Sequence, residues 1–155
     1  MPDSLDYRII DLLQKNAKIT IKDLAIRLNL TPTPVHERIK KLERQGIIQG
    51  YTINVDREKL GLDMVVLCSV SLQNHRQEYI EQFERDIMEL DEVVECYHIG
   101  GMYDYLLKVL VSDMRVYQAF VSQKLAALKN IGTVQSSFVM SEIKQNQGIP
   151  IKHFI

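Results

Sequence analysis

Tryptophan is absent, and the 155 residues include only two cysteines and four prolines. Cys68 and Cys96 sit in separate apolar segments without Cys-x-x-Cys spacing, so they form no thiolate metal or redox pair and are expected as reduced core residues. No apolar run approaches the ~18 residues of a membrane span. The opening Met1-Pro2-Asp3-Ser4-Leu5-Asp6 lacks the charge-then-apolar order of a secretory leader. The expectation is a cytoplasmic protein with no membrane contact. His36, His75, His98 and His153 share no ligand spacing with one another or with Cys, Asp or Glu, so neither a metal nor a resident cofactor is expected.

The composition is that of a folded protein, 46% hydrophobic and 25% charged, too apolar for a disordered chain. The length suits one average domain or two of ~60–90 residues. A formal net charge of −1 conceals an uneven distribution. Residues 1–60 carry 11 Lys and Arg against 8 Asp and Glu, whereas residues 61–155 carry 8 against 12. The split suggests a basic module suited to nucleic acid and an acidic one that is not.

The spacing in residues 1–55 predicts three short helices. Leu5, Ile9, Leu12 and Leu13 recur at helical intervals after a cap at Asp3 or Ser4, and the helix ends at Asn16-Ala17-Lys18. Thr20 caps a second helix, with Asp23 as capping-box partner and Ile21, Leu24, Ala25 and Leu28 facing inward. A turn at Asn29-Leu30 uses the tolerance of Asn for the left-handed conformation. Thr31 is the next N-cap, Pro32 takes the first helical position, Val35, Ile39 and Leu42 form the buried stripe, and Gly46 closes the helix. Residues 47–55 alternate weakly and read as a short strand, and 56–62 as a linker.

Residues 63–145 follow a different plan. Strand-like runs at 64–72, 93–99, 103–111 and 133–143 alternate with helical patterns at Tyr79, Ile80, Phe83, Ile87 and Leu90 and at Val116, Phe120, Val121, Leu125 and Leu128. The order β-α-β-β-α-β is the ferredoxin-like plan, with both helices on one face of a four-stranded antiparallel sheet. Val, Leu, Cys, Phe and Met occur on both strand parities, so the uncovered face is expected to be apolar and to pack on a second copy across a two-fold axis. The fold class is α+β, a winged helix-turn-helix followed by a ferredoxin-like domain. Residues 146–155 form a tail whose order the sequence leaves open.

Two helices joined by a tight turn, with a strand after the second, make a helix-turn-helix with a small wing. A helix entering the major groove N-terminus first needs small or polar outward residues, and Thr33, Pro34, His36 and Glu37 meet that need. Arg38, Lys40, Lys41 and Arg44 flank them as candidates to neutralise phosphates. The N–H groups at the caps of Thr20 and Thr31 can meet phosphate oxygens. Read without DNA, the same pattern is a three-helix unit with a solvated basic face.

The residues of this segment resemble a known family. Leu5-Asp6, Leu12-Leu13, Asn16, Asp23-Leu24-Ala25, Leu28, Leu30-Thr31, Val35, Arg38-Ile39, Lys41-Leu42-Glu43, Gly46-Ile47-Ile48 and Gly50-Tyr51 fall in the order of the Lrp/AsnC (feast/famine) transcription regulators. Thr31-Pro32-Thr33-Pro34, Glu37-Arg38 and Leu42-Glu43-Arg44-Gln45-Gly46 look closest to its leucine-responsive branch. The likeness continues through Gly61 into the second module, which is similar to that family's effector-binding (RAM) domain, and rests there on Gly100 through Leu106 and the strand order.

The resemblance implies a regulator that binds double-stranded DNA, forms homodimers that assemble to octamers, and senses a free amino acid, leucine or another apolar one. It places the effector beside Gly100, Gly101, Met102, Tyr103 and Asp104, and carries over Ser136, where the family commonly has Thr. The chemistry suits this: N–H groups near the glycines can approach a carboxylate, Asp104 can accept from an ammonium group, and Met102 or Tyr103 can contact the side chain. The plainer reading is a glycine hairpin with Asp104 stabilising the turn. Gly101 and Met102 depart from the family's usual Gly-x-x-Asp residues, so the side-chain pocket is expected to differ.

Two rival functions remain at this level. One is an amino-acid-binding regulatory subunit whose helical module docks on a protein rather than on DNA. The other is a small enzyme, for which Cys96, His98 and Asp104 are the only candidates. Cys96 and His98 share a strand face, but no acid to orient the imidazole is evident, so no catalytic residue is assigned.

Overall fold

The computed structural model describes residues 1–145 and 148–151. The chain divides into two units: Met1–Asn54 with the described residues from Lys144 onward, and Val55–Ile143. Among the described residues, no helix is long and apolar enough to cross a membrane.

In the first unit α1 spans Ser4–Lys15, α2 Ile21–Leu28 and α3 Pro32–Arg44. Asp3 caps α1 through a full capping box: Asp6 N–H donates to Asp3 Oδ1 at 2.9 Å, and Asp3 N–H donates to Asp6 Oδ2 at 3.1 Å. Thr20 accepts the Asp23 N–H at 3.1 Å, but the reciprocal half of the expected box is replaced. The Thr20 hydroxyl has a proton of its own and donates it to Asp23 Oδ2 at 2.6 Å.

Asn29 turns the chain in the left-handed region, φ 54°, as its tolerance for that conformation predicts. Gly46 ends α3 at φ 68°, with its N–H on Glu43 O and the Ile47 N–H on Leu42 O, which satisfies two carbonyls of the last turn. Ile9, Leu24, Ala25, Leu28, Val35, Ile39 and Leu42 form the unit's core.

The wing strand expected over 47–55 does not form. Tyr51, Ile53 and Val55 are exposed, and a strand needs a ladder partner that the described residues do not supply. After residue 143 the chain returns to this unit. Ile149 N–H donates to Gln14 Oε1 at 2.6 Å, Gln14 Nε2 donates back to Ile149 O at 3.2 Å, and Ile151 is buried. The rest of the tail, residues 146, 147 and 152–155, with His153, Phe154 and Ile155, lies outside the described residues.

The second unit has the β-α-β-β-α-β order that the periodicity predicts. β1 is Met64–Leu72, α4 Gln77–Met88, β2 Val93–His98, β3 Tyr105–Val111, α5 Met114–Ala119 and β4 Ile131–Phe138. The sheet is antiparallel in the order β2-β3-β1-β4. Cys68 lies opposite Leu107 and Ser136, and Val70 opposite Tyr105 and Val134.

Val66, Cys68, Val70, Leu72, Tyr105, Leu107, Val109 and Val111 pack with Phe83, Ile87, Tyr117, Phe120 and Leu125 as the core. The helix after Asp113 is regular only through Ala119 and continues as a wider turn over Phe120–Lys124. The Ser122 hydroxyl donates to the Gln118 carbonyl at 2.8 Å, a back-bond that loosens the helical ladder.

Two expectations about apolar residues are corrected. Cys96 is exposed because β2 is an edge strand, and only Cys68 belongs to the core. Phe138 stacks edge-on against Tyr117, and Cys68 also faces the helices, so neither contributes to the open face. That face instead carries Leu67, Leu106 and Leu110 among Ser69, Lys108 and Glu95.

Candidate DNA interface and effector loop

Burial of Val35, Ile39 and Leu42 fixes the orientation of α3. Thr33, His36, Glu37, Lys40 and Arg44, at helical intervals of three, four, seven and eleven, are consequently all exposed on one side. Pro34 lies half-buried beside them. Lys40 is paired with Glu43 at 2.8 Å, and Glu43 also accepts the Tyr51 hydroxyl at 3.0 Å. Those two donors hold the Glu43 carboxyl below its ordinary range.

Arg38 and Lys41 are placed differently from the rest of the basic set. The Arg38 guanidinium donates to Asp6 Oδ1 at 2.6 Å and to Asp3 Oδ2 at 2.7 Å, and Lys41 lies 4.0 Å from Asp6 Oδ2. Asp6 is the one buried charged residue among those described, and Arg38 is its counter-ion. The hydrogen bonds it donates to Asp3 and Asp6 raise the Arg38 pKa further. Sequence spacing brings Arg38 to the edge of the exposed face, and spacing alone does not reveal that Asp6, thirty-two residues away, closes on it.

The helix ends also differ from one another. Thr31 occupies the N-cap of α3 but its side chain makes no capping bond. The third helical position is Pro34, which has no N–H to give, and neither has Pro32 at the first. Of the first three helical positions only Thr33 offers an N–H, so this terminus is a weaker anion site than an ordinary one, while the Thr31 hydroxyl has no hydrogen-bond partner among the described residues. At α2, Thr20 is already engaged with Asp23.

In the second unit the loop between β2 and β3 is pinned by Asp104. Its N–H donates to Val70 O at 2.9 Å, and its carbonyl accepts from Ile99 N–H at 2.8 Å. Its carboxylate takes the Leu72 N–H at 2.7 Å on Oδ2 and faces His75 Nε2 at 2.9 Å from Oδ1. The Leu72 N–H and then His75 hold this carboxyl below its ordinary value of 3.8. Gly101 has φ 145°, a backbone state that L side chains rarely adopt, and the space above Gly100 and Gly101 is open. Met102 is 87% exposed.

The Tyr103 hydroxyl donates to Gln135 Oε1. Ser136, one residue further on β4, points to the opposite side of the sheet. Its hydroxyl meets Tyr117 OH at 2.5 Å beside buried Cys68, and burial pushes the Tyr117 phenol up to about 12. The five loop residues thus gather at one end of the sheet with His75 and Gln135, whereas Ser136 sits beneath α5. His75 and Gln135 went unnoticed in the sequence because nothing in their local pattern connects them to residues 103 and 104. The acid that Cys96 and His98 lacked is Glu84. It lies 3.9 Å from His98 Nδ1 and accepts the Tyr105 hydroxyl at 2.9 Å. Burial, and then that bond, raise the Tyr105 phenol well above its usual range.

Comparison with known proteins bears on both units. Residues 2–49 match the winged helix-turn-helix DNA-binding family, and residues 65–149 match the Lrp/AsnC ligand binding domain. The leucine-responsive regulatory protein of Escherichia coli is 36% identical over 150 residues, covering 97% of this chain and 92% of its own. A Neisseria meningitidis transcriptional regulator solved in complex with L-Met superposes with a TM-score of 0.95 at 31% identity over the whole of both chains. An AsnC family regulator from Agrobacterium tumefaciens superposes at 0.93, with 33% identity over 99% of this chain and all of its own. With a DNA-binding helix-turn-helix ahead of a ferredoxin-like effector domain, the chain belongs to the Lrp/AsnC family of transcriptional regulators.

Proposed function

We propose that the chain is a sequence-specific DNA-binding regulator whose assembly or DNA binding responds to a free apolar amino acid, leucine or one of similar size such as methionine. The observation that carries this reading is the exposed face of α3, whose polar and basic side chains stand on a helix fixed by Val35, Ile39 and Leu42. Thr33, Pro34, His36 and Glu37 read base edges. Lys40, Arg44 and the Thr31 hydroxyl meet phosphates, with Thr20 marking the α2 end that lies against the backbone.

The amino-acid half of the reading is supported by the relative solved with L-Met and by the leucine-responsive relative. The effector carboxylate sits over Gly100 and Gly101, where the open space admits it, and exposed Met102 contacts its side chain. Asp104 keeps lone pairs for the ammonium group beyond those facing Leu72 and His75. Tyr103 frames the loop, and Ser136 acts at second hand by holding Tyr117.

Half-buried Leu67, Leu106 and Leu110 support a homodimer through the open sheet face, with dimers joining further to octamers. An effector shared between subunits then makes contacts in one assembly that it lacks in another, and so shifts their balance.

The test is fluorescence anisotropy of labelled duplex DNA with the full chain from 50 to 200 mM salt, alongside thermal shift with single amino acids. Expected are an affinity that falls steeply with salt and a melting point raised by an apolar amino acid. Stabilisation by an amino acid without DNA binding at physiological salt would instead identify a regulatory subunit acting through protein partners. An unchanged amino-acid response after Asp104→Ala would remove Asp104 from the effector site.

A further inference from the structure

On the exposed side of α3 one group has the wrong sign for its surroundings. Glu37 lies in the second turn among Lys40, Lys41 and Arg44 and is exposed. It makes no hydrogen bond or ion pair with any described residue. The neighbouring carboxylates are all answered: Glu43 by Lys40 and Tyr51, and Asp3 and Asp6 by Arg38. Against a polyanion, an unanswered carboxylate repels each phosphate it approaches and lowers affinity for every sequence alike. It becomes favourable only where a base presents a donor to it.

The major groove offers two such donors, the amino groups of cytosine and adenine. Adenine sets the N7 acceptor beside its amino group, which opposes a carboxylate, whereas the cytosine edge carries the N4 amino donor alone. A carboxylate also rejects guanine and thymine, whose edges present acceptors.

Resting on the reading of α3 as the DNA-contacting helix, we propose that Glu37 is a specificity-determining residue that selects cytosine at one position of the bound sequence. It does so as much by repelling the other bases as by accepting from N4. Its side chain is free to take that bond because no described residue holds it, unlike Arg38, whose Nη1 already donates to two aspartates.

The experiment is selection from randomised duplexes with the full-length protein, its Glu37→Ala and Glu37→Gln variants, and Arg44→Ala as a control. All three substitutions fall at exposed positions, Glu37 and Arg44, and circular dichroism verifies the fold of each variant. The wild type is expected to enrich cytosine at one position by about tenfold over the other bases. Glu37→Ala is expected to flatten that position and to bind unselected DNA more tightly. Glu37→Gln is expected to move the preference to adenine, whose N6 and N7 suit an amide. Arg44→Ala lowers affinity for all sequences together and leaves the base profile intact. A base profile unchanged by both Glu37 variants overturns the proposal while leaving DNA binding in place. A wild type that retards no duplex overturns the functional reading and this inference with it.

Discussion

Replacing Arg38 with alanine is expected to weaken the fold of the N-terminal unit, and to change phosphate contact hardly at all. The Asp6 side chain is 1% exposed and that of Arg38 30%, and the two meet at 2.6 Å. Removing one member of a fully buried pair typically costs ~3–5 kcal/mol, because the remaining charge stays in a poor solvent. Two features reduce that figure. Water reaches the outer part of the guanidinium, and Lys41 at 4.0 Å and the Asp3 N–H continue to serve Asp6. About 2 kcal/mol remains, which for a unit of this size lowers the melting temperature by roughly 8–16 °C. Thermal and urea unfolding followed by far-ultraviolet circular dichroism measures it. In an Asp6→Leu background the same Arg38→Ala change is expected to cost little, since no buried charge is left unpaired. Arg38→Lys falls between, because an ammonium can still pair with Asp6 but is a more strongly hydrated charge that costs more to hold beside a buried carboxylate. The reasoning fails if Arg38→Ala unfolds within about 0.5 kcal/mol of the wild type while its DNA affinity drops at every sequence, since that is the behaviour of a phosphate ligand.

Leu42→Ala removes a fully buried side chain from the core under α3 and is expected to cost ~2–5 kcal/mol. DNA binding should fall in step with the folded fraction, measured by anisotropy and circular dichroism on the same samples. The Asp104 carboxyl is held below 3.8 in the folded state by the Leu72 N–H and His75, so its contribution is complete above 3.8 and disappears as pH falls through the lower folded value. The protection of the Leu72 N–H, its exchange rate relative to the intrinsic rate at each pH, should therefore fall on acidification into that window, and Asp104→Asn, which keeps an acceptor but loses the charge, should abolish the dependence.

The helices and strands were legible in the sequence because their causes are local. Apolar periodicity, Asp3 and Thr20 at helix starts, Asn29 in the turn and Gly46 at the stop each act within a few residues, and all appear where expected. What escaped notice depends on partners far along the chain. The segment 47–55 has a strand's alternation but no ladder neighbour. Arg38 has the spacing of a phosphate ligand yet closes on Asp6. Ser136 follows the family pattern, and its strand parity turns it beneath α5 instead of toward the loop. His75 and Gln135 join residues 104 and 103 only because β1 and β4 bring them to one end of the sheet.

The engagement of Arg38 and Lys41 alters how α3 can hold DNA. A helix that meets phosphate usually draws on its N-terminal N–H groups, but Pro32 and Pro34 remove two of the first three here. Two of its four basic side chains face Asp6 or Asp3, and a third, Lys40, faces Glu43. Arg44 is thus the only cation of α3 without a partner among the described residues, and Arg8, Lys18, Lys22 and Arg27 on the preceding segments are likewise unpaired. Phosphate attachment should accordingly rest chiefly on Arg44 and the cations preceding α3, with Lys40 and the Thr31 hydroxyl adding to it, leaving the other exposed residues of the opening turns of α3 to the bases. Each phosphate contact adds about 0.9 to the slope of log affinity against log salt concentration. Arg44→Ala is therefore expected to reduce that slope by about 0.9, and Arg38→Ala, in protein that remains folded, to leave it unchanged. The opposite order would mean that DNA draws Arg38 away from Asp6.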